Sequence, residues 1–228
     1  MRTTLRRLLW DKVPRNHRQD PRTFRVRQVV TAVVVVIGAV VLGLSLRITP
    51  GSAAFYPATL GLAAVWAVGA FASGPLHLGR VVRPSGEPGR PIFGGIAVGV
   101  ALSLVFVAGS LVVREIPVVD RQVTSVLDHA SAGVTPLLVV VTVVNGIAEE
   151  LFFRGALYAA VPRHPVVWST VAYVVATLAT GNFMLGFAAV LLGAVVGLER
   201  RASGGVLAPI LTHVTWSTTM LFVLPVLF

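Results

Sequence analysis

Residues 134–158 read VTPLLVVVTVVNGIAEELFFRGALY, a helix-length apolar run that carries Glu149, Glu150 and Arg154 within six residues. An ion at the bilayer centre costs roughly 2.5 to 3.5 kcal/mol on insertion scales, and such residues mark functional sites by default. If this run lies in a membrane, three charges so close together need more than ordinary packing to explain them.

The composition puts the run in a membrane. Of 228 residues, 55% are hydrophobic and 12% are charged, against about 25% charged in soluble domains. The mean hydropathy is positive. There is no cysteine, which excludes disulfides, thiolate metal sites and a cysteine nucleophile. Chemistry must come from Glu, His, Ser, Thr or Arg. The net charge of +10 could suggest nucleic acid, but no basic patch is interleaved with stacking aromatics. The basic residues follow membrane topology instead.

A spanning helix needs about 20 apolar residues. Segments of that character fall at roughly 28–47, 55–74, 92–113, 135–159, 165–180, 183–199 and 205–227, the fifth and sixth being short and joined at TGN, residues 180–182. The expectation is an all-α polytopic transmembrane helix bundle of about seven spans. With a cytoplasmic N-terminus, the inside segments hold fifteen Lys or Arg and the outside ones three, as the positive-inside rule requires. Residues 1–27 are then a basic cytoplasmic segment and 28–228 a single transmembrane domain. A basic start before an apolar run also describes a signal peptide, but the run is long and lacks a small-x-small cleavage site, so a retained anchor is expected.

Outside the spans, TLRRLLWDKV (4–13) sets Leu5, Leu8, Leu9 and Val13 on one helical face. It could lie on the anionic inner leaflet or be a solvated tail. In the outer loop, Val119, Val123, Val126 and Ala130 recur at helical spacing and predict an interfacial helix. His17, His77, His129 and His164 fall in extramembrane segments and are expected at the surface, whereas His213 lies within an apolar span.

Residues four apart on a helix share a face, so Glu150 and Arg154 are natural partners. Glu149 points to another sector and has no local partner. It must face the bundle interior, a polar cavity or a metal. A carboxylate free of ion pairing and shielded from bulk water can serve as a general base.

EELFFRG (149–155) resembles the first motif, Glu-Glu-x-x-x-Arg, of the CPBP intramembrane metalloproteases, the CaaX protease and bacteriocin-processing (Abi) family. GGVLAPILTHVTWS (204–217) resembles that family's later motif, with His213 at its histidine. The likeness covers residues of about 90–225. It implies a helical membrane protease in which Glu149 activates water, Glu150 and Arg154 hold the site, and His213 binds metal or stabilises the oxyanion. Zinc is the metal implied, on Glu149 and His213.

The sequence departs from the family at two places. The middle motif, Phe-x-x-x-His, aligns best with Ala176-x-x-x-Thr180, or with Asn182, and has no histidine. Ser217 stands where Asn or Asp usually follows the last histidine. Thr180, Asn182 and Ser217 are expected as polar lining.

The function expected is an intramembrane endopeptidase acting near the cytoplasmic face. The alternative is an inactive family member that binds a membrane peptide as an immunity or scaffold protein. A proton-coupled transporter is weaker, because matched broken helices are missing. Expected partners are membrane lipids and a peptide or membrane-protein substrate, without nucleic acid; no residue pattern sets an oligomeric state. The Arg-over-Lys and Ala/Val/Gly usage points to the plasma membrane of a GC-rich bacterium, where prenylated CaaX substrates are not expected.

Overall fold

The computed structural model describes residues 6–13, 19–82 and 86–228. His17 and the first residues of the amphipathic N-terminal stretch lie outside them. Among the described residues, after a helical turn at Arg6–Trp10, eight helices follow one another: α1 (Pro21–Ser45), α2 (Phe55–Ala72), α3 (Ile92–Val113), α4 (Pro117–Ser131), α5 (Thr135–Ala160), α6 (Pro165–Leu178), α7 (Phe183–Ser203) and α8 (Leu207–Leu227). Between α2 and α3, β1 (Val81–Val82) pairs antiparallel with β2 (Pro88–Gly89). Apart from α4 and α6, these helices are long and apolar enough to cross a membrane, six in all. Helix α6 is apolar but has 14 residues, about 21 Å at 1.5 Å per residue, less than the hydrocarbon core of about 30 Å. Helix α4 is the amphipathic helix read from its valine spacing, with Leu127 among its buried residues.

Helix α1 starts seven residues before the apolar run does. Asp20 accepts the amide hydrogens of Arg22 and Thr23, and Pro21 occupies the first turn, a strong start signal. The polar first turns therefore belong to the helix. They place Arg27, 1% exposed, where its Nε donates to the carbonyl of Ser73 at the end of α2.

The helices pack in pairs, α3 on α8 and α6 on α7, with α5 against α2 and α8. Lipid tails are as apolar as leucine, so membrane helices associate through close packing at small residues. Gly95 and Gly99 on α3 are such points. A Cβ on Gly99 would sit 2.8 Å from the carbonyl oxygen of Thr212 on α8, and one on Gly95 would sit 2.9 Å from that of Ala208. Around α5 the core is aromatic: Trp66 lies 4.9 Å from Phe152 and 5.0 Å from Phe153, and Phe153 lies 4.9 Å from Tyr173, ring centre to ring centre.

Helix α5 is not uniform. Between Leu151 and Leu157 it widens to π-helical spacing, a feature frequent at functional sites. The widened turn carries Phe152 to Ala156, all buried, so its whole circumference is enclosed by neighbouring helices. Near the end of α7, Arg6–Trp10 forms one helical turn that lies against that helix. The amide of Val13 donates to Arg201 O, and Arg201 Nη2 donates to Leu9 O. The described part of the N-terminal stretch thus docks on protein. His129, expected at the surface, is instead buried, with Nε2 2.9 Å from Ile48 O. It ties α4 to the loop after α1.

Candidate active site

Four helices bring their polar residues to one place. Helix α5 supplies Glu149, Glu150 and Arg154; α6 supplies Tyr173; α7 supplies Glu199 and Arg200; and α8 supplies Thr212 and His213. Glu150 and Arg154 are 0% exposed. Arg154 Nη1 donates to Glu150 Oε1 at 3.1 Å, the expected one-turn pair. The same oxygen faces His213 Nδ1 at 2.8 Å. Glu150 is thereby fixed from two helices, and His213 is oriented through its Nδ1.

Glu149 is held differently. It is half-buried, and the hydroxyl of Tyr173 donates to its Oε2 at 2.8 Å. Among the described residues no cation pairs with it directly, although His213 and Arg154 are near enough to act on it electrostatically. The two adjacent glutamates thus have separate partners, an arginine and a histidine for one and a neutral hydroxyl for the other. Arg154 also stacks over Tyr173, its guanidinium carbon 4.7 Å from the ring centre, a cation–π contact. Arg200 Nε donates to the carbonyl of Arg154 at 2.7 Å and so braces the widened turn from α7.

Tyr173, Glu199, Arg200 and Thr212 were not among the residues expected at the site. Glu199 is 1% exposed, and neither carboxyl oxygen has a hydrogen bond in the structure. Thr212, beside it, donates its hydroxyl to Gly95 O at 2.9 Å. The expected apolar segment 183–199 stops at Glu199 and leaves Arg200 and Arg201 to a loop, but α7 runs to Ser203 and turns Glu199 and Arg200 inward. Tyr173 did carry a signal, a lone phenol in the apolar run VAYVVATL, residues 171–178.

The residues expected as polar lining lie elsewhere. Thr180 donates to Thr177 O at the end of α6. Asn182 caps α7 and donates to Gln122 O and Ser125 Oγ on α4. Ser217 lies one turn beyond His213, donates to Val214 O and lines an apolar cavity of about 430 Å³ that Leu127 and Leu138 also line.

A catalytic zinc takes three protein ligands and an open position, and this donor set does not fit one. Glu150 Oε1 already serves Arg154 and His213, and Glu149 with His213 makes two ligands. Among the described residues, no three His, Asp or Glu are placed to hold a metal ion.

An apolar helical bundle enclosing glutamates, arginines and a histidine is an integral membrane protein with an intramembrane polar site. Residues 131–219, which contain every residue of that site, match the family described as type II CAAX prenyl endopeptidase Rce1-like. That region is similar to the Rce1-like family, and EELFFRG within it resembles the first motif of the CPBP group. No curated protein and no solved structure matches the chain.

Proposed function

We propose that the chain is an intramembrane endopeptidase in which Glu149 activates the hydrolytic water for attack on a peptide bond near the cytoplasmic face. The observation that carries this reading is the unequal treatment of the glutamates. Glu150 Oε1 is shared by Arg154 and His213 and its Oε2 is sealed in the interior, whereas half-buried Glu149 accepts one hydrogen bond from Tyr173. That leaves Glu149 Oε1 to take a proton from water. The water oxygen bonds to the scissile carbonyl carbon, Glu149 passes the proton to the departing nitrogen, and the C–N bond breaks. His213 in its protonated form, held through Nδ1 on Glu150, would donate from Nε2 to the developing oxyanion. Arg154 and Glu150 keep that imidazole in place.

The match of residues 131–219 to the Rce1-like family supports a CAAX-type membrane protease, and the residues above give it a route that needs no metal. A second reading is a family member that binds a membrane peptide without cutting it. The lack of a third metal ligand favours it. To separate the two, the detergent-purified protein is offered a fluorogenic peptide library, alongside Glu149→Gln and with a chelator. Cleavage by wild type that survives the chelator and disappears in Glu149→Gln supports the proposal. A folded wild type that cuts nothing leaves the binding reading, and cleavage abolished by the chelator overturns the metal-free route.

A further inference from the structure

A second cavity of about 430 Å³ opens at the end of the bundle where α2 stops and α3 starts, between the segment that leaves α2 and the turn joining α7 to α8. His77, Arg80 and Arg90 line it, and no Asp or Glu does. We propose that it binds the phosphate of an anionic membrane lipid, with the acyl chains lying along the adjoining apolar wall. This proposal is independent of any peptidase activity.

The frame of the pocket is stiff. Arg80 N donates to Ser203 O at 2.8 Å, Val206 N to His77 O at 2.8 Å, and Leu207 N to Leu78 O at 3.1 Å. Two connections that look like loops in sequence are thus joined as if they were strands. The same bonds occupy three carbonyl oxygens that would otherwise repel an anion. Gly79 and Gly205 allow this joining. A Cβ on Gly79 would come within 2.6 Å of both Ser203 O and Gly205 N.

The charges remain available. Among the described residues, no carboxylate pairs with Arg80 or Arg90. Arg90 Nη1 donates to Gly79 O at 2.9 Å. Since a guanidinium has five N–H donors, this bond steadies the side chain at the rim without exhausting it. Arg80 and Arg90 are both exposed.

Position and apolar lining favour a lipid over free phosphate. The pocket lies just beyond the end of α2 at Ala72 and just before the start of α3 at Ile92, the level at which headgroups meet a bilayer. Basic pockets between membrane helices on the inner side bind anionic headgroups. Leu76, Leu78 and Val13 share the lining, and Leu78 is 49% exposed. A free anion gains nothing from those side chains.

The test uses the full chain in nanodiscs of phosphatidylcholine with and without phosphatidylglycerol, and in detergent with inorganic phosphate. Thermal unfolding and lipid retention in native mass spectrometry are the readouts. Arg80→Gln and Arg80→Glu are the variants, because the Arg80 side chain makes no bond to the frame and its backbone amide is unaltered. We expect phosphatidylglycerol to be retained and to raise the unfolding temperature of wild type, with at least tenfold weaker retention in both variants. All three proteins should unfold alike in pure phosphatidylcholine. Equal retention of the two lipids by wild type, or undiminished phosphatidylglycerol binding by Arg80→Glu, would overturn the site. Stabilisation by inorganic phosphate equal to that by phosphatidylglycerol would overturn the lipid assignment.

Discussion

Tyr173 donates its hydroxyl hydrogen to Glu149 Oε2 at 2.8 Å, while its ring lies beneath the Arg154 guanidinium. One side chain thus touches both the free glutamate and the arginine that engages the other one. Tyr173→Phe removes the hydroxyl and keeps the ring. A neutral hydrogen bond of this type contributes about 0.5 to 1.5 kcal/mol, so the unfolding temperature should shift little. Peptide cleavage should fall about tenfold, in kcat more than in KM, because Glu149 loses the bond that fixes its free oxygen. Unchanged kcat in a folded Tyr173→Phe protein would remove Tyr173 from the chemistry.

Glu149→Gln and Glu150→Ala should separate function from structure. General-base catalysis contributes about 10²- to 10⁴-fold, so Glu149→Gln should lose activity to that extent and still fold. Glu150→Ala strands Arg154 and His213 in an apolar interior. Removing one partner of a buried pair costs about 3 to 5 kcal/mol, and this variant should unfold at markedly lower temperature. The check is a pair of melting curves beside the activity assay. If both variants melt like wild type, Glu150 is not the structural member of the pair.

The sequence showed what repeats along one helix and hid what different helices bring together. The one-turn partnership of Glu150 and Arg154 follows from helix geometry, and the apolar runs mark the spanning helices to within a few residues except at the start of α1. Asp20 moved the start of α1 because a capping residue outweighs the polarity of the first turns. The contact of His213 with Glu150 spans 63 residues, and no spacing rule reaches that far. Tyr173 and Glu199 stayed hidden for the same reason, since each meets the site only through packing of α6 and α7. The widening at Leu151–Leu157 depends on neighbours that enclose the helix on all sides.

The packing of α1 on α2 turns on Gly38. A Cβ there would run into the ring of Trp66, which is 1% exposed and backed by Phe152 and Phe153. The ring has nowhere to go, and overpacking of this sort costs about 1 to 3 kcal/mol. Gly61, on α2, has nothing within 4 Å of where its Cβ would be. Gly61→Ala should be neutral or gain up to about 1 kcal/mol from helix propensity. Thermal unfolding of the two alanine variants tests the contrast, and similar melting temperatures would count against the close approach of α1 and α2.

Acid should loosen the start of α1. Asp20, exposed and just outside the span, accepts from the Thr23 hydroxyl and from the Thr23 and Arg22 amides. The Thr23 hydroxyl bond, followed by its amide, holds the Asp20 carboxyl below its ordinary value. A carboxyl with a folded value below its unfolded one stabilises the fold above the unfolded value, and that contribution is lost as pH falls through the folded value. Lowering the pH through that window should therefore speed hydrogen exchange at the amides of Arg22 and Thr23, with residues deep in α1 unaffected. Asp20→Asn keeps an acceptor at the cap and cannot titrate there, so its exchange in this turn should no longer depend on that window beyond the intrinsic effect of pH on exchange. The same acid response in Asp20→Asn as in wild type would place the sensitivity somewhere other than this cap.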